Sequence, residues 1–429
     1  MSIYGRVRRL SSLKFLQIKI DVVGSGISGL SAAYYLSKKN HVDLFEKEDH
    51  FGGHSHTIDL MLGTKKVPVD IGFIVFNFET YPNLINFFNE NKIEIEKSNM
   101  SCSVSVDDSN FEYCGKGLNG IFSNKMNLFN IKFLKMFFDI IKFYKKSDKL
   151  DNLNEKITLG DYLIKNNLSK VFINYHLIPM VSAIWSMPPY AANKMPLKFF
   201  LKFFQNHGLF KLKNRPQWYT VSNRSRSYVK TILSKISGEY FKNYKVNKII
   251  SKSNGIDLYY GGKNEFFDYD KVIIATHADE ALSMIENPTD QEKEVLSNFS
   301  YKENLAYIHT DETVMPKNKN AWCAWNSSMK KNEIEKNSIT YWLNLLQNLV
   351  CEKNIFLTLN PYLDIDETKI LKKVTFTHPY FDQSALDYQS KLKNLQNKRN
   401  ILFCGSYFGY GFHEDGIKSS IEMLKNIDD

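Results

Sequence analysis

The stretch IKIDVVGSGISGLSAAYYL, residues 18–36, decides the fold: it reads as a buried strand, a glycine-rich turn and the start of a helix. IKIDVV is short, and four of its six residues are branched aliphatics, as in a buried strand. Gly24 permits the tight turn, Gly26 lets the backbone approach a pyrophosphate, and Gly29 allows the helix to pack close to the strand. Free N–H groups at the helix start face the anion. The whole turn, Gly24, Ser25, Gly26, Ile27, Ser28 and Gly29, is therefore a candidate phosphate cradle. The next strand, HVDLFE, ends in Glu46, 22 positions after Gly24, where a carboxylate accepts hydrogen bonds from ribose hydroxyls and disfavours a 2′-phosphate.

Three further segments extend this reading. Glu46 is followed by KEDHFGGHSHT, which places the pair Gly52-Gly53 and then His54 just past the ribose-binding acid. YDKVIIATHADEAL, 269–282, contains a buried strand ending at Ala275-Thr276. ILFCGSYFGYGFHEDGIKSSI, 401–421, reads as a buried strand, a glycine- and aromatic-rich loop, and a helix beginning near Gly416. These segments resemble the flavin-containing amine oxidase superfamily, which includes protoporphyrinogen oxidases and carotenoid desaturases. The resemblance implies FAD as cofactor. It also implies an α/β plus α+β architecture: a two-dinucleotide-binding-domain FAD fold with Rossmann-like βαβ units, and an interleaved substrate domain of mixed sheet and helices. Carried over residue by residue, it gives His54 where an Arg commonly meets the pyrophosphate, and Val246 where a backbone meets the adenine. It gives Ala275 and Thr276 beside the flavin, and Gly405 followed by Ser406 where an acid usually contacts the ribityl chain. Gly416, Ile417 and Ser420 fall on the flavin-facing helix, whose N-terminal dipole suits the negative edge of a reduced flavin.

From about residue 18 onward, the chain also resembles a bacterial family described as NAD/FAD-binding or amine oxidase-like, through GGHSHT, VDIGFIVFN, TYPNL, AIWSMP, RPQW, ATHAD and FCGSYFGYGFHEDG. Members are often encoded near, or fused to, cyclopropane-fatty-acyl-phospholipid synthase-like methyltransferases. That implies a lipid substrate and a lipid methyltransferase partner. Superfamily amine oxidases place a Lys on a substrate-domain strand; the corresponding strand here, YKENLAYIHT, has Asn304 at that position. The catalytic candidates are Asn304, His309, His413 and Glu414, the last two because their loop should adjoin the flavin, where a proton acceptor assists hydride loss. The expected function is an FAD-dependent oxidoreductase, acting as dehydrogenase, desaturase or oxidase, with a hydrophobic substrate such as a phospholipid acyl chain. The alternatives are a flavin amine oxidase, a redox-neutral isomerase or mutase, and a non-catalytic flavin-binding partner of a methyltransferase.

At 429 residues the chain exceeds one ordinary core. Segments 18–80, 215–290 and 395–429 are assigned to the FAD domain, and 81–214 and 291–394 to the substrate domain. Residues 1–17, basic and without an acid, read as a transit-like leader, a stretch added by an upstream start codon, or a disordered tail. The net charge is +10, yet only seven of 56 basic residues are Arg and no nucleic-acid-binding motif accompanies them, so nucleic acid is not an expected partner. Five scattered cysteines suggest neither a disulfide framework nor a metal site. Segment 131–146, IKFLKMFFDIIKFYKK, places Lys132, Lys135, Asp139, Lys142 and Lys146 on one face of a helix expected to be buried on more than one side, and 197–213 repeats the Phe/Lys alternation. Together these suggest a cytoplasmic protein with peripheral contact to the inner membrane face.

Overall fold

In the computed structural model, residues 18–427 are described except 108, 110, 148–149, 151–156, 212–213 and 263–265; the expectation for residues 1–17 lies outside the described residues. A five-stranded parallel sheet runs in the order Tyr240–Phe241, His41–Phe45, Lys19–Val23, Lys271–Ile274, Ile401–Phe403. Register is tight: Val23 pairs with Phe45 on one side and Ile274 on the other, and Ile274 pairs with Phe403. Four strands thus end level with one another. Glu46, the turn at Gly24, Ala275-Thr276 and Gly405 all issue from that one edge, where open α/β sheets bind ligands.

The helix Ile27–Leu36 returns along the sheet with nine of its ten residues buried. Its two alanines, Ala32 and Ala33, are fully buried, and the C-terminal helix His413–Met423 packs alongside through Ser28 and Ser31. That helix starts a turn earlier than Gly416, the start expected from sequence. Asp415 caps it by accepting from Phe412 N–H (3.0 Å), so His413 and Glu414 belong to its first turn. Strands Val246–Lys252, Gly255–Tyr260 and Phe266–Tyr269 form a three-stranded antiparallel sheet.

The second unit is a seven-stranded, largely antiparallel sheet. In spatial order its strands are Ile370–Tyr380, Ser300–His309, Phe356–Leu359, Glu333–Trp342, Trp325–Lys330, Cys102–Asp107 and Phe111–Cys114. Helices from the 117–206 region cover it through an aromatic core that includes Phe133, Phe143, Phe172, Phe200 and Phe204. Fully burying a side chain of this size contributes roughly 1.5–3 kcal/mol relative to exposure. The expectation of a helix over 131–146 buried on several sides is corrected. Ile131–Ser147 buries one face, through Phe133, Met136, Phe143 and Tyr144, while Ile131 and Phe138 stand in solvent.

A Cβ on Gly29 would collide with the Gly24 carbonyl oxygen and lie 3.3 Å from the Ala275 Cβ. Neither backbone can yield. Gly29→Ala should therefore lower stability by about 1–3 kcal/mol, the usual cost of overpacking, read as an earlier urea midpoint; an unchanged midpoint would show that the turn relaxes freely.

Candidate dinucleotide and active site

The turn is held from below and left open above. Gly24 N–H donates to the Phe45 carbonyl (2.8 Å), and Gly24 has φ +98°, a left-handed value that excludes most side chains. A Cβ there would also press within 3.0 Å of the Ala275 carbonyl oxygen and 3.1 Å of the Thr276 methyl. Glu46 is buried and organises the loops around it. Its Oε2 accepts from both the N–H (3.0 Å) and the hydroxyl (2.5 Å) of Ser25, and its Oε1 accepts from Glu48 N–H (3.0 Å). The Ser25 hydroxyl oxygen in turn accepts from Gly52 N–H at 3.0 Å. One carboxylate and one hydroxyl thus lock both glycine loops together. Gly53 has φ +54° and comes so close to Gly26 that its Cβ would be 3.1 Å from the Gly26 Cα.

Gly26 supplies the test of whether a dinucleotide fits. A Cβ added there would meet nothing within 4 Å, so the turn opens onto space just where a pyrophosphate needs it, and the helix that follows has no acid in its first turn to repel phosphate. The residues present fit the group.

At the C-terminal motif the picture is more divided. Gly405 N–H donates to Ser419 Oγ (2.9 Å), and the Ser406 carbonyl accepts from Gly409 and Gly411 N–H (3.1 and 3.2 Å), which shapes the loop into the helix. Gly416 abuts the turn itself: a Cβ would lie 2.7 Å from Ser28 Oγ and 2.9 Å from Ile27. Ile417 and Ser420 are fully buried, and Ser420 Oγ bonds Ser31 Oγ (2.6 Å) and the Ile417 carbonyl (2.8 Å). Both residues sit in the contact between the two helices. Val246 is buried in the core that also holds Phe45, and nearby Tyr244 N–H donates to the Glu46 carbonyl (2.9 Å).

Two catalytic expectations are also corrected. His309 is fully buried inside the second sheet, with Nε2 on Thr358 Oγ1 (2.8 Å) and Nδ1 accepting from Asp311 N–H (3.1 Å), so both nitrogens are committed away from the site. Glu414 caps the helix Pro82–Glu90: its oxygens accept from Asn83 N–H and Nδ2 (3.1 and 2.6 Å) and from Leu84 N–H (3.0 Å). It is a clamp between helices, with both oxygens engaged by the helix N-terminus.

His413 and Asn304 remain. The His413 ring stacks on Phe73 at 3.7 Å, and its Nε2 lies 2.9 Å from Ser55 Oγ; burial pushes its pKa down to about 3, so it is neutral. Asn304 is buried and brings in a residue that the sequence did not single out, His378. The Asn304 amide nitrogen donates to the Lys302 carbonyl (3.3 Å), and its oxygen accepts from Asn360 Nδ2 (2.8 Å), which settles its orientation. The same nitrogen therefore donates to His378 Nδ1 (3.0 Å), so the His378 proton sits on Nε2. Burial lowers its pKa to about 4 and keeps it neutral. Beside it lies His54, ring centroids 5.2 Å apart, with a buried Nε2 that has no hydrogen-bond partner among the described residues and a pKa held well down by burial. His277 stacks on Tyr301 at 4.1 Å, and the Tyr301 hydroxyl accepts from Ala278 N–H (2.9 Å), closing the end next to Thr276. Among the described residues no group of His, Cys, Asp or Glu is arranged to hold a metal ion.

Residues 22–90 match the family described as the NAD(P)-binding Rossmann-like domain. No curated protein matches the chain in sequence. Solved structures match nearly end to end. A cyclohexylamine oxidase from Brevibacterium oxydans IH-35A superposes with TM-score 0.64 at 13% identity over 96% of this chain and 100% of its own. A putrescine oxidase with putrescine bound gives 0.68 at 13%, over 96% and 100%. The chain has the two-domain fold of the amine oxidase-like FAD oxidoreductases. A CLA-producing fatty acid isomerase from P. acnes shares that fold as well, at TM-score 0.66 and 13% identity over 97% of this chain and 99% of its own. At such identities the likeness is one of fold.

Burial holds eight of the ten histidines below their ordinary pKa, His56, His309 and His378 at about 4 among them. A base depressed in the fold is protonated first in the unfolded chain, so its contribution is complete above about pH 6.5 and is lost as pH falls toward 4. Four carboxyls raised by burial, Asp70 to about 6, Asp415 to about 7, and Asp21 and Glu414 with them, act in the opposite sense and are fewer. Stability should fall steeply between pH 6.5 and 4, and His378→Gln should flatten that slope by about one proton; urea midpoints that are level or rise on acidification would contradict this.

Proposed function

We propose that this chain is an FAD-dependent oxidoreductase that withdraws hydride from a C–H bond of a hydrophobic substrate, with a lipid acyl chain as the favoured class. When bound, FAD supplies a two-electron acceptor. The residues do the rest. The N–H groups at Gly26–Gly29 would hold the pyrophosphate, Glu46 the adenosine ribose, and the first turn of His413–Met423 the negatively charged edge of the flavin. His54, neutral and unpartnered at Nε2, offers a hydrogen bond to the same group without adding charge.

The observation that carries the substrate class is the wall beside the loop 405–412. Trp185 Nε1 donates to the Tyr410 carbonyl (3.3 Å), Phe199 lies against Tyr410 (4.8 Å) and Phe381 (5.1 Å), and Phe203 stacks on Phe412 (5.1 Å). These rings pack against one another beside the loop, and such an aromatic neighbourhood would accept an apolar chain; because aromatic faces also attract an ammonium, the amine panel below is the control that decides between them. On the facing strand, the Asn304–His378 pair presents a neutral N–H rather than a charged base, and so would orient a polar oxygen on the substrate.

The experiment is anaerobic mixing of the purified protein with membrane lipid extract, and separately with a panel of amines, while following flavin absorbance. Bleaching by lipid supports the reading; bleaching by amines alone overturns it in favour of amine oxidation. Turnover of lipid only after dithionite reduction supports a second reading, redox-neutral isomerisation, favoured by the end-to-end similarity to the fatty acid isomerase. His378→Leu should slow lipid-dependent bleaching roughly tenfold, the equivalent of one hydrogen bond of about 1.4 kcal/mol, with flavin content unchanged; an unaltered rate would remove His378 from the site.

A further inference from the structure

We propose that the segment 125–146 is a docking surface for an anionic phospholipid bilayer, a role that goes beyond the reaction and does not depend on it. Four large apolar side chains occur within six residues at the entry to the helix Ile131–Ser147, and all four are exposed: Met126 at 63%, Leu128 at 48%, Phe129 at 81% and Ile131 at 83%. Phe138 (65%) follows two turns along the same face as Ile131. Isolated exposed apolar residues are ordinary, but five in one contiguous segment are not. Exposures above four-fifths mean that Phe129 and Ile131 stand off the surface, the form of an insertion tip rather than a cleft.

Charge decides the occupant. Ile131, Lys135, Phe138, Lys142 and Lys145 fall at helical spacings of three and four, so cations and apolar groups share one exposed stripe about 20 Å long. Lys125, Lys132 and Lys146 flank it. The only carboxylate in the segment, Asp139, is turned to the Ser169 N–H (3.0 Å), and among the described residues Lys132, Lys135 and Lys142 pair with no acid. A second copy of the chain docking here about a two-fold axis would set this lysine stripe against itself. An acidic bilayer satisfies both halves: the tip enters the acyl boundary, and the long lysine stems lie over the headgroups with their ammonium ends on phosphate. No helix among the described residues is long and apolar enough to cross a membrane, so the contact is with one leaflet.

The test is flotation of the full chain with phosphatidylcholine vesicles containing 30% phosphatidylglycerol, and with phosphatidylcholine alone. The wild-type chain should float with the acidic vesicles, less at high salt, and not with the neutral ones. Phe129→Ser/Ile131→Ser/Phe138→Ser and, independently, Lys132→Glu/Lys135→Glu should each cut the bound fraction at least fivefold, while thermal unfolding and cofactor content stay at wild-type values. Absence of flotation with acidic vesicles, equal flotation of wild type and both variants, or a wild-type dimer that the triple variant abolishes in sedimentation velocity would overturn the proposal.

Discussion

Gly29 sits so near the carbonyl of Gly24 that no side chain fits there, and a Cβ on Gly416 would press on the Ser28 hydroxyl and an Ile27 methyl; this close packing of the turn and two helices governs the rest of the molecule. Because Gly29 lacks a Cβ, the first helix can leave the turn directly against Ala275. Because Gly416 lacks one, the C-terminal helix can lie across the same turn, where Ser31 and Ser420 complete the contact at 2.6 Å. Segments nearly four hundred residues apart therefore meet at the carboxyl edge of one parallel sheet, and the cradle exists only where they meet.

Polar contacts then fix what the backbone brings together. Glu46 and Ser25 tie the phosphate turn to the Gly52 loop, and Glu414 ties the C-terminal helix to the helix Pro82–Glu90. Glu46 is buried and Glu414 half-buried, at a cost that several donors offset, and each has three. The neighbouring histidines are kept neutral by the same burial. The site thus combines hydrogen-bond donors with little fixed charge, an environment suited to an anionic cofactor.

The cofactor half of this arrangement was legible in the sequence because its physics is local. A strand, a turn with glycines at fixed offsets and a helix start all lie within a dozen residues, and Glu46 closes the next strand. The substrate half depends on contacts between distant segments. His309 was a candidate because it lies on the strand that carries Asn304; in the sheet its Nδ1 accepts from Asp311 N–H, and Thr358 takes the other nitrogen. Glu414 looked catalytic because the helix was expected to begin at Gly416, whereas capping by Asp415 starts it at His413 and directs Glu414 toward Asn83. His378 was passed over. It meets Asn304 only because Ser300–His309 pairs with Ile370–Tyr380 so that Lys302 faces His378, making Asn304 its diagonal neighbour. Two long alternating strands, each with a buried polar residue, were the signal available. The lysine face of the helix Ile131–Ser147 was visible in its spacing, but the exposure of Ile131 and Phe138 on that face was not, since it depends on which side the sheet covers.

The central claim is that the carboxyl edge of the parallel sheet, gathered around Gly26, holds FAD. It is tested most directly by denaturing the purified protein and measuring the released nucleotide by chromatography and mass, with reconstitution of the emptied chain by FAD, NAD and NADP in turn. The account predicts about one FAD per chain, rebinding of FAD in preference to either nicotinamide dinucleotide, and loss of that binding in Gly26→Val, whose side chain would fill the open space above the turn. A chain that releases no flavin and rebinds only a nicotinamide dinucleotide, or one in which Gly26→Val retains FAD at full occupancy, would contradict it.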